Sequence, residues 1–340
     1  MAIPGSYNVL NRLAIFLVFT ALIVPVSVYG AGERSKSAAD WLEQLGPALN
    51  MTSYRGVFVY ARGDSVHSMR IAHRYRDDKV QERLVIQDGG SGEIVRKGTD
   101  VVCVLPRQGK VRLNQVIPSG PFAKAFSSQS VPLSQWYNVE LVGEDRVAGY
   151  SAVIVALNAK DAFRYNHRLW LEKSTGLLVK SSVGGAGKVL EHFQFTSLEI
   201  TDDIPDSEFE IQTQGRAIAR SVSPKDEVAA PVNLDLDGWR PGWLPEGFLP
   251  AAAPRSGSGH AVAFSDGVAA FSIFVEPEGT VKMPSGVSRI GATTVYMREL
   301  GSGDSRYLIT VVGEVPPKTA KQVAESVQVD SALAFNVGRP

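Results

Sequence analysis

The sequence has few of the residues with which exported domains are cross-linked or metal sites are built. It contains one cysteine, Cys103, in 340 residues, so no disulfide can form within the chain and its stability must come from core burial. Its five histidines include no pair four residues apart and none beside the cysteine, which argues against zinc. The 35 basic and 35 acidic residues balance, which argues against nucleic acid as the main partner.

Three short motifs that would indicate enzymatic or calcium chemistry are incomplete. Gly184–Lys188 hints at a phosphate-binding loop, but Val189 stands where serine or threonine would contact magnesium. Asn233–Gly238 matches the first half of a calcium loop, but its twelfth position would be Leu244, which cannot supply a carboxylate. Gly89–Glu93 lacks the closing glycine of a serine nucleophile elbow. We therefore expect no enzymatic activity and no cofactor, while a site assembled from distant segments stays an open alternative.

Residues 1–30 have the pattern of a secretion signal. Arg12 is the only charged residue before Leu13–Val28, an apolar run of 16 residues that is shorter than the ~20 needed to span a bilayer. Small residues precede Ala31, as signal cleavage requires. We expect residues 1–30 to be removed on export, an uncleaved membrane anchor being the alternative.

Most of the remaining chain consists of short runs that alternate apolar and polar residues. A helix is expected at Ser37–Asn50, and about ten strands follow between residues 54 and 199. Turn pairs such as Gly63-Asp64 and Asp77-Asp78 separate the early strands at hairpin spacing. Ten strands are near the limit at which an open sheet must curl. The pattern predicts a large antiparallel half-barrel that encloses helices, an architecture that resembles the lipoprotein carriers of the periplasm.

Composition divides the mature chain into two domains of an α+β protein. Residues 31–211 would form the half-barrel, and residues 212–231, with few large apolar side chains, would form a linker. Residues 232–340 predict a smaller α+β domain. Its clearest feature is a hairpin followed, after Pro316-Pro317, by a short helix with Thr319 as its N-cap.

An apolar group in the larger domain is our candidate for a lipid cavity. Its members are Phe122, Phe126, Leu133, Trp136, Leu169 and Phe193. A curled sheet that closes over one helix tends to leave a cavity, although ordinary core packing explains the same pattern. The basic residues Arg62, Arg70, His73, Arg74 and Arg76 are interpreted as a solvated sheet face, with lipid phosphate contact as the alternative.

In the smaller domain, Tyr296, Arg298 and Tyr307 are candidates for contact with a protein partner. Alternation turns some strand residues outward in any register, so part of this aromatic group is expected outside the core.

Several segments resemble the MucB/RseB family of periplasmic regulators. Trp243–Phe248, Phe264–Val268 and Gly291–Ser326 resemble the family's C-terminal domain, and Tyr165–Gly176 resembles its larger domain. The resemblance implies a protein that binds the periplasmic part of a MucA/RseA-like membrane anti-sigma factor and shields it from a site-1 protease. It also implies release by lipid or lipopolysaccharide. A lipid or lipoprotein carrier is the alternative function, and the chain's own oligomeric state, including a homo-oligomer, is open.

Overall fold

Two antiparallel sheets form most of the protein. The structure, a computed structural model, describes residues 36–88, 92–105, 133–185, 187–221, 238–251, 260–277, 285–302 and 305–329. One sheet has eleven strands and the other six, with a two-stranded ribbon beside the second. Only two helices in these ranges exceed one turn. The protein is therefore mostly β, and the predicted α+β class overstates its helical content.

The larger lobe begins with helix α1 (Ala38–Met51) and five strands. The strands are β1 (Tyr54–Arg62), β2 (Ser65–Arg76), β3 (Lys79–Ile86), β4 (Glu93–Lys97) and β5 (Asp100–Leu105). Helix α1 starts at a capping box, because Ser37 Oγ accepts from Asp40 N at 3.2 Å and the Asp40 carboxylate accepts from Ser37 N at 2.7 Å. The predicted turn at Asp77-Asp78 is present, and both residues have the positive φ of a tight hairpin turn.

The second half of this lobe completes the eleven-stranded sheet. Its elements are the single-turn helix α2 (Leu133–Trp136), β6 (Tyr137–Val147), β7 (Tyr150–Ala159), β8 (Asn166–Glu172), β9 (Leu178–Gly185), β10 (Lys188–Ile200), a 3-10 helix (Asp206–Phe209) and β11 (Arg216–Ser221). The strand order is β11-β5-β4-β3-β2-β1-β10-β9-β8-β7-β6. The meander predicted from turn spacing is therefore present.

Part of the predicted linker belongs to this sheet. Strand β11, which falls within residues 212–231, pairs antiparallel with β5 over six residues. The chain is also fixed just before β11, because the buried Glu93 carboxylate accepts from Gln212 N at 3.1 Å and from Thr213 N at 2.6 Å. Arg83 Nε donates to the same carboxylate at 2.5 Å. Strand β11 is short and of mixed composition, so its own sequence gives no clear strand signal. It forms because the edge of β5 is free to pair with it.

The smaller lobe is a six-stranded sheet with one helix packed on it. Its elements are β12 (Trp239–Pro241), β13 (Leu249–Ala251), β14 (His260–Ser265), β15 (Ala270–Pro277), β16 (Gly286–Ile290), β17 (Thr293–Ser302), β18 (Ser305–Gly313), α3 (Pro317–Ser326) and β19 (Val327–Val329). The sheet order is β13-β14-β15-β18-β17-β16, and β12 pairs with β19. Phe264, Phe271, Ile273 and Val323 are buried in the core. Among the described helices none is long and apolar enough to cross a membrane.

Candidate functional site

The two lobes meet at a buried polar junction centred on Arg164, which lies between β7 and β8. Its Nη1 donates to Asp266 Oδ2 of the smaller lobe at 3.0 Å, and its Nη2 donates to the Glu246 carbonyl at 2.5 Å. Asp161, from the same turn, pairs with the guanidinium at 3.1 Å. The side chains of Arg164 and Asp266 are both fully buried. Burial of an ion pair is tolerated only where its remaining polar atoms are also satisfied.

Asp266 meets that condition because it has three further donors. Tyr137 Oη donates to its carboxylate at 3.0 Å, and the backbone N–H groups of Val268 and Ala269 donate at 2.9 and 2.8 Å. Burial raises the pKa of Asp266, while the backbone donors, Arg164 and Tyr137 oppose that rise. The carboxylate therefore connects a turn of the smaller lobe to two residues of the larger lobe.

Aromatic rings enclose the same guanidinium. The Arg164 Cζ atom lies 5.2 Å from the Trp136 ring, 5.7 Å from that of Tyr137 and 5.1 Å from that of Phe248, within the range of cation–π attraction. Trp136 also packs directly on the backbone of Gly247, where a Cβ atom would lie 2.2 Å from the indole. Gly247 has a φ of +83°, so both backbone conformation and space favour glycine here.

A second polar contact lies at the ends of β1 and β10. The buried Glu191 carboxylate accepts from Tyr60 Oη at 2.6 Å and from Ala292 N of the smaller lobe at 2.9 Å. Arg62 Nε lies 3.2 Å from Glu191 Oε1 and also donates to the Ile290 carbonyl at 3.2 Å. Burial is the main reason that the pKa of Glu314 is raised to about 7, and the nearby Glu191 charge adds to it.

A third contact joins α3 to the turn that carries Arg164. Thr319 Oγ1 donates to the Phe163 carbonyl at 2.9 Å, and the Phe163 ring stands edge-on to Trp243 at 5.0 Å. Thr319 was predicted as the helix N-cap, but the helix begins at Pro317 with Pro316 as its N-cap. The prediction was wrong because Pro317, whose fixed φ suits the first position of a helix, starts the helix two residues earlier. The Thr319 side chain is buried instead at the contact with the other lobe.

Four of the predicted lipid-binding residues share one apolar cluster. Leu169 is fully buried in it, and Leu133, Trp136 and Phe193 pack against it with partial exposure. Three residues of α1, namely Trp41, Leu42 and Leu45, belong to the same cluster. Phe122 and Phe126 lie outside the described residues. Trp136 thus contacts both this cluster and the junction between the lobes.

The predicted partner-binding residues are engaged within the smaller lobe. Arg298 Nε donates to the Ala324 carbonyl at 2.8 Å and its Nη2 to the Val327 carbonyl at 2.9 Å, so the guanidinium caps the C-terminal end of α3. Tyr296 and Tyr307 pack against the core of this lobe while remaining partly exposed. Any role of these three side chains in partner contact stays a prediction.

The basic residues of the early strands do not form one solvated face. Arg70 and Arg76 are exposed, as expected, but His73 and Arg74 are buried. Arg74 donates to the Ile204 carbonyl and pairs with Asp206, which fastens the 3-10 helix to the sheet. Arg62 reaches the smaller lobe. The interpretation as a solvated face was therefore wrong for His73, Arg74 and Arg62.

Sequence reasoning missed the residues that form the junction. Arg164 and Asp266 are separated by 102 positions, and each lies in a turn where a charged residue normally faces solvent. Neither spacing nor periodicity carries a signal for such a pair. Within the described residues, no group of three or more histidine, cysteine, aspartate or glutamate side chains could hold a metal ion.

Comparison with known proteins gives consistent matches along the chain. The profile of the MucB/RseB N-terminal domain matches residues 37–213, and that of the MucB/RseB C-terminal domain matches residues 233–328. The sigma factor AlgU regulatory protein MucB of Pseudomonas aeruginosa is 35% identical over 307 residues, which cover 88% of this chain and 93% of that protein. The sigma-E factor regulatory protein RseB of Haemophilus influenzae is 27% identical, covering 92% of this chain and 98% of that protein.

Solved structures give the same result. The complex structure of Pseudomonas aeruginosa MucA/MucB includes a chain that is 32% identical, with a TM-score of 0.68, covering 86% of this chain and 99% of that one. A crystal structure of MucB in complex with MucA(peri) matches at 31% identity with a TM-score of 0.67 and the same coverage. The similarity therefore extends across both lobes.

Proposed function

Since the chain belongs to the MucB/RseB family of sigma-factor regulators, which are not enzymes, we propose that it binds the periplasmic segment of a MucA/RseA-like membrane anti-sigma factor and shields that segment from site-1 proteolysis. One observation supports this most directly. Relatives that match 86% of the chain, across both lobes, have been solved in complex with MucA. The proposal places the mature protein in the periplasm, with residues 1–30 removed.

Occlusion is the mechanism that fits a non-enzymatic binding protein. A protease must thread its substrate as an accessible, extended backbone. A segment held against this protein cannot adopt that arrangement in the protease, so cleavage falls with the fraction of segment bound. The buried contacts of Arg164 and Glu191 hold the two lobes together, so a partner surface that includes both lobes would be preformed.

Release by lipid requires that lipid favours a state in which the segment binds less well. We propose that an acyl chain enters the apolar cluster around Leu169, in a curled larger lobe of the half-barrel type. Trp136 supports a route for coupling because it packs on that cluster and also on Gly247 and Arg164 at the junction. Lipid that displaces the indole would therefore disturb the contact between the lobes.

Protection from cleavage tests this proposal. The purified mature protein is mixed with the periplasmic segment of the same organism's anti-sigma factor, and its site-1 protease is added. We expect slower cleavage in proportion to the bound fraction, and recovery of the rate when lipopolysaccharide fragments or long-chain lipid are added. An unchanged cleavage rate at concentrations that saturate binding would rule out occlusion. Lipoproteins captured from envelope extract in place of the anti-sigma factor would instead indicate a carrier.

A further inference from the structure

The smaller lobe has an exposed strand at the edge of its sheet. All five residues of β16 are exposed, and Val287 and Ile290 expose 57% and 55% of their surface. Among the strands that the structure describes, β16 is the outermost of its sheet and pairs with β17 alone. An edge strand presents unpaired backbone groups, and natural proteins usually protect such edges with charge or a bulge.

Strand β6, one of the two edge strands of the eleven-stranded sheet, is better protected than β16. Strand β6 contains a bulge between Leu141 and Gly143, and it exposes acidic residues such as Glu140 and Glu144. Strand β16 pairs with β17 without a register shift, and Arg289 is its only charged residue. Of these two edges, β16 is therefore the better template for addition of another strand.

The turn after β16 determines which of its backbone groups face outward. Ile290 and Thr293 flank a two-residue turn whose first residue, Gly291, has a φ of +61°. In such hairpins the flanking residues form the first hydrogen-bonded pair, and hydrogen-bonded and non-hydrogen-bonded pairs then alternate. The N–H and C=O groups of Val287 and Arg289 therefore point away from β17, toward the open edge, while those of Ser288 point toward β17.

This edge is continuous with the contact between the lobes. The Ile290 carbonyl accepts from Arg62 of the larger lobe at 3.2 Å. Gly291 lies against the side chains of Arg62 and Glu191, where a Cβ atom would be only 2.5 and 2.6 Å from their nearest atoms. A chain that pairs with β16 would therefore have one end beside the larger lobe.

From this geometry we propose that β16 is the strand to which the anti-sigma segment pairs, as an added strand of the six-stranded sheet. This inference rests on the proposed function and assigns its contact surface. The occupant is an extended segment with apolar side chains that cover Val287 or Ile290, and a carboxylate near Arg289 would form a favourable cross-strand pair. In such a pairing the backbone of the segment is extended but hydrogen-bonded to β16, so it is not accessible to a protease, and the same hydrogen bonds account for protection.

Residue-resolved amide exchange tests the pairing. The full mature protein is measured alone and with saturating anti-sigma segment. We expect the amides of Val287 and Arg289 to gain at least about tenfold protection on binding, while Ser288, already paired with β17, changes little. A segment that binds and is protected from cleavage without slowing exchange at Val287 and Arg289 would overturn the inference and leave the proposed function intact. Failure of the segment to bind would overturn both.

A matched pair of variants gives a second test. Val287→Pro removes an N–H that points to the open edge, which an edge strand tolerates, whereas Val287→Thr keeps the N–H and the β-branched shape. We expect Val287→Pro to weaken segment binding at least tenfold and Val287→Thr to change it less than about threefold. The circular dichroism and melting temperature of both variants are compared with those of the wild type. Equal binding by both folded variants would contradict strand addition. Protection of the Val287 amide that rises with protein concentration in the absence of the segment would contradict the proposed occupant, because a second copy of the chain would then pair with β16.

Discussion

Arg164 of the larger lobe donates a 3.0 Å hydrogen bond to Asp266 of the smaller lobe, and neither side chain is exposed to solvent. Removing one member of a buried ion pair leaves the other charge uncompensated, which typically costs about 3–5 kcal/mol. Asp266 also accepts from Tyr137 and from two backbone N–H groups. Substitution of Asp266 therefore leaves several buried donors without an acceptor. Substitution of Arg164 leaves fewer acceptors without a donor.

We therefore expect Asp266→Ala to lower the free energy of unfolding by at least about 3 kcal/mol, and by more than Arg164→Met does. Urea unfolding followed by tryptophan fluorescence measures both. Glu199→Ala is the control, because Glu199 pairs with Arg55 at 2.8 Å on the exposed surface, where an ion pair adds little. If Glu199→Ala shifts the unfolding midpoint as far as Asp266→Ala does, the buried pair at the junction contributes no more stability than an exposed ion pair.

The stability of the protein should also respond to pH through Glu314, which lies near Glu191 at the second contact between the lobes. Its folded-state pKa is raised from 4.5 to about 7, so its favourable contribution is fully present below pH 4.5 and is lost as the pH rises through 7. The folded protein should lose about 1–2 kcal/mol of stability between pH 5 and 8 from this group, after allowance for its partial exposure. Glu314→Gln should remove this loss and be more stable than the wild type at pH 8.

Buried His167 acts in the opposite direction. Burial lowers its pKa from 6.5 to about 4, so its contribution is present above pH 6.5 and is lost as the pH falls toward 4. The Glu314 effect is therefore the difference between wild type and Glu314→Gln measured at each pH, since His167 is common to both. Parallel stability curves from pH 5 to 8 would show that Glu314 does not titrate in this range.

The strands were predictable because their signals are local. The turn pair Asp77-Asp78 and the alternation of Tyr54–Arg62 depend only on neighbouring residues, and both features are present. The β17–β18 hairpin and the helix after Pro316 were recognised for the same reason. Strand β11 was not, because its place depends on the free edge of β5, which lies more than a hundred residues earlier.

The candidate site was less predictable because it depends on contacts between distant turns. Leu169, Leu133, Trp136 and Phe193 do lie together, since apolar strand and helix residues converge on one core. The burial of Arg164 could not be predicted from the sequence, because it requires Asp266 from a turn of the other lobe. Hydrophobic periodicity predicts which side chains are buried in a core, but not which charges are buried where two lobes meet.

The sequence predicts Arg298 as a partner contact, but its role in stability must be measured before its role in binding. Its guanidinium donates to the carbonyls of Ala324 and Val327 at the end of α3. Arg298→Glu removes both bonds and places a negative charge at a helix C-terminus, so we expect a loss of about 2 kcal/mol in the stability of this lobe. Arg298→Lys, which keeps the charge, should lose less.

Segment binding by both Arg298 variants is therefore measured well below their unfolding midpoints. If Arg298 contacts the partner directly, Arg298→Glu should bind more weakly than the wild type even where both are fully folded. Undiminished binding by folded Arg298→Glu would remove this residue from the partner surface and leave it the structural role alone.

The contact between Gly247 and Trp136 gives the final prediction. Gly247→Ala would place a Cβ atom 2.2 Å from the Trp136 indole and would also hold alanine at a φ of +83°. The clash and the backbone strain add, and strain alone costs roughly 1–2 kcal/mol. We expect Gly247→Ala to destabilise the wild type more than it destabilises Trp136→Ala, because the smaller side chain leaves room for the methyl group. Thermal unfolding of the four proteins in this double-mutant cycle measures the coupling. Equal effects of Gly247→Ala in both backgrounds would show that the indole does not occupy this position, and lipid entering the apolar cluster would then have no direct route to the junction through Trp136.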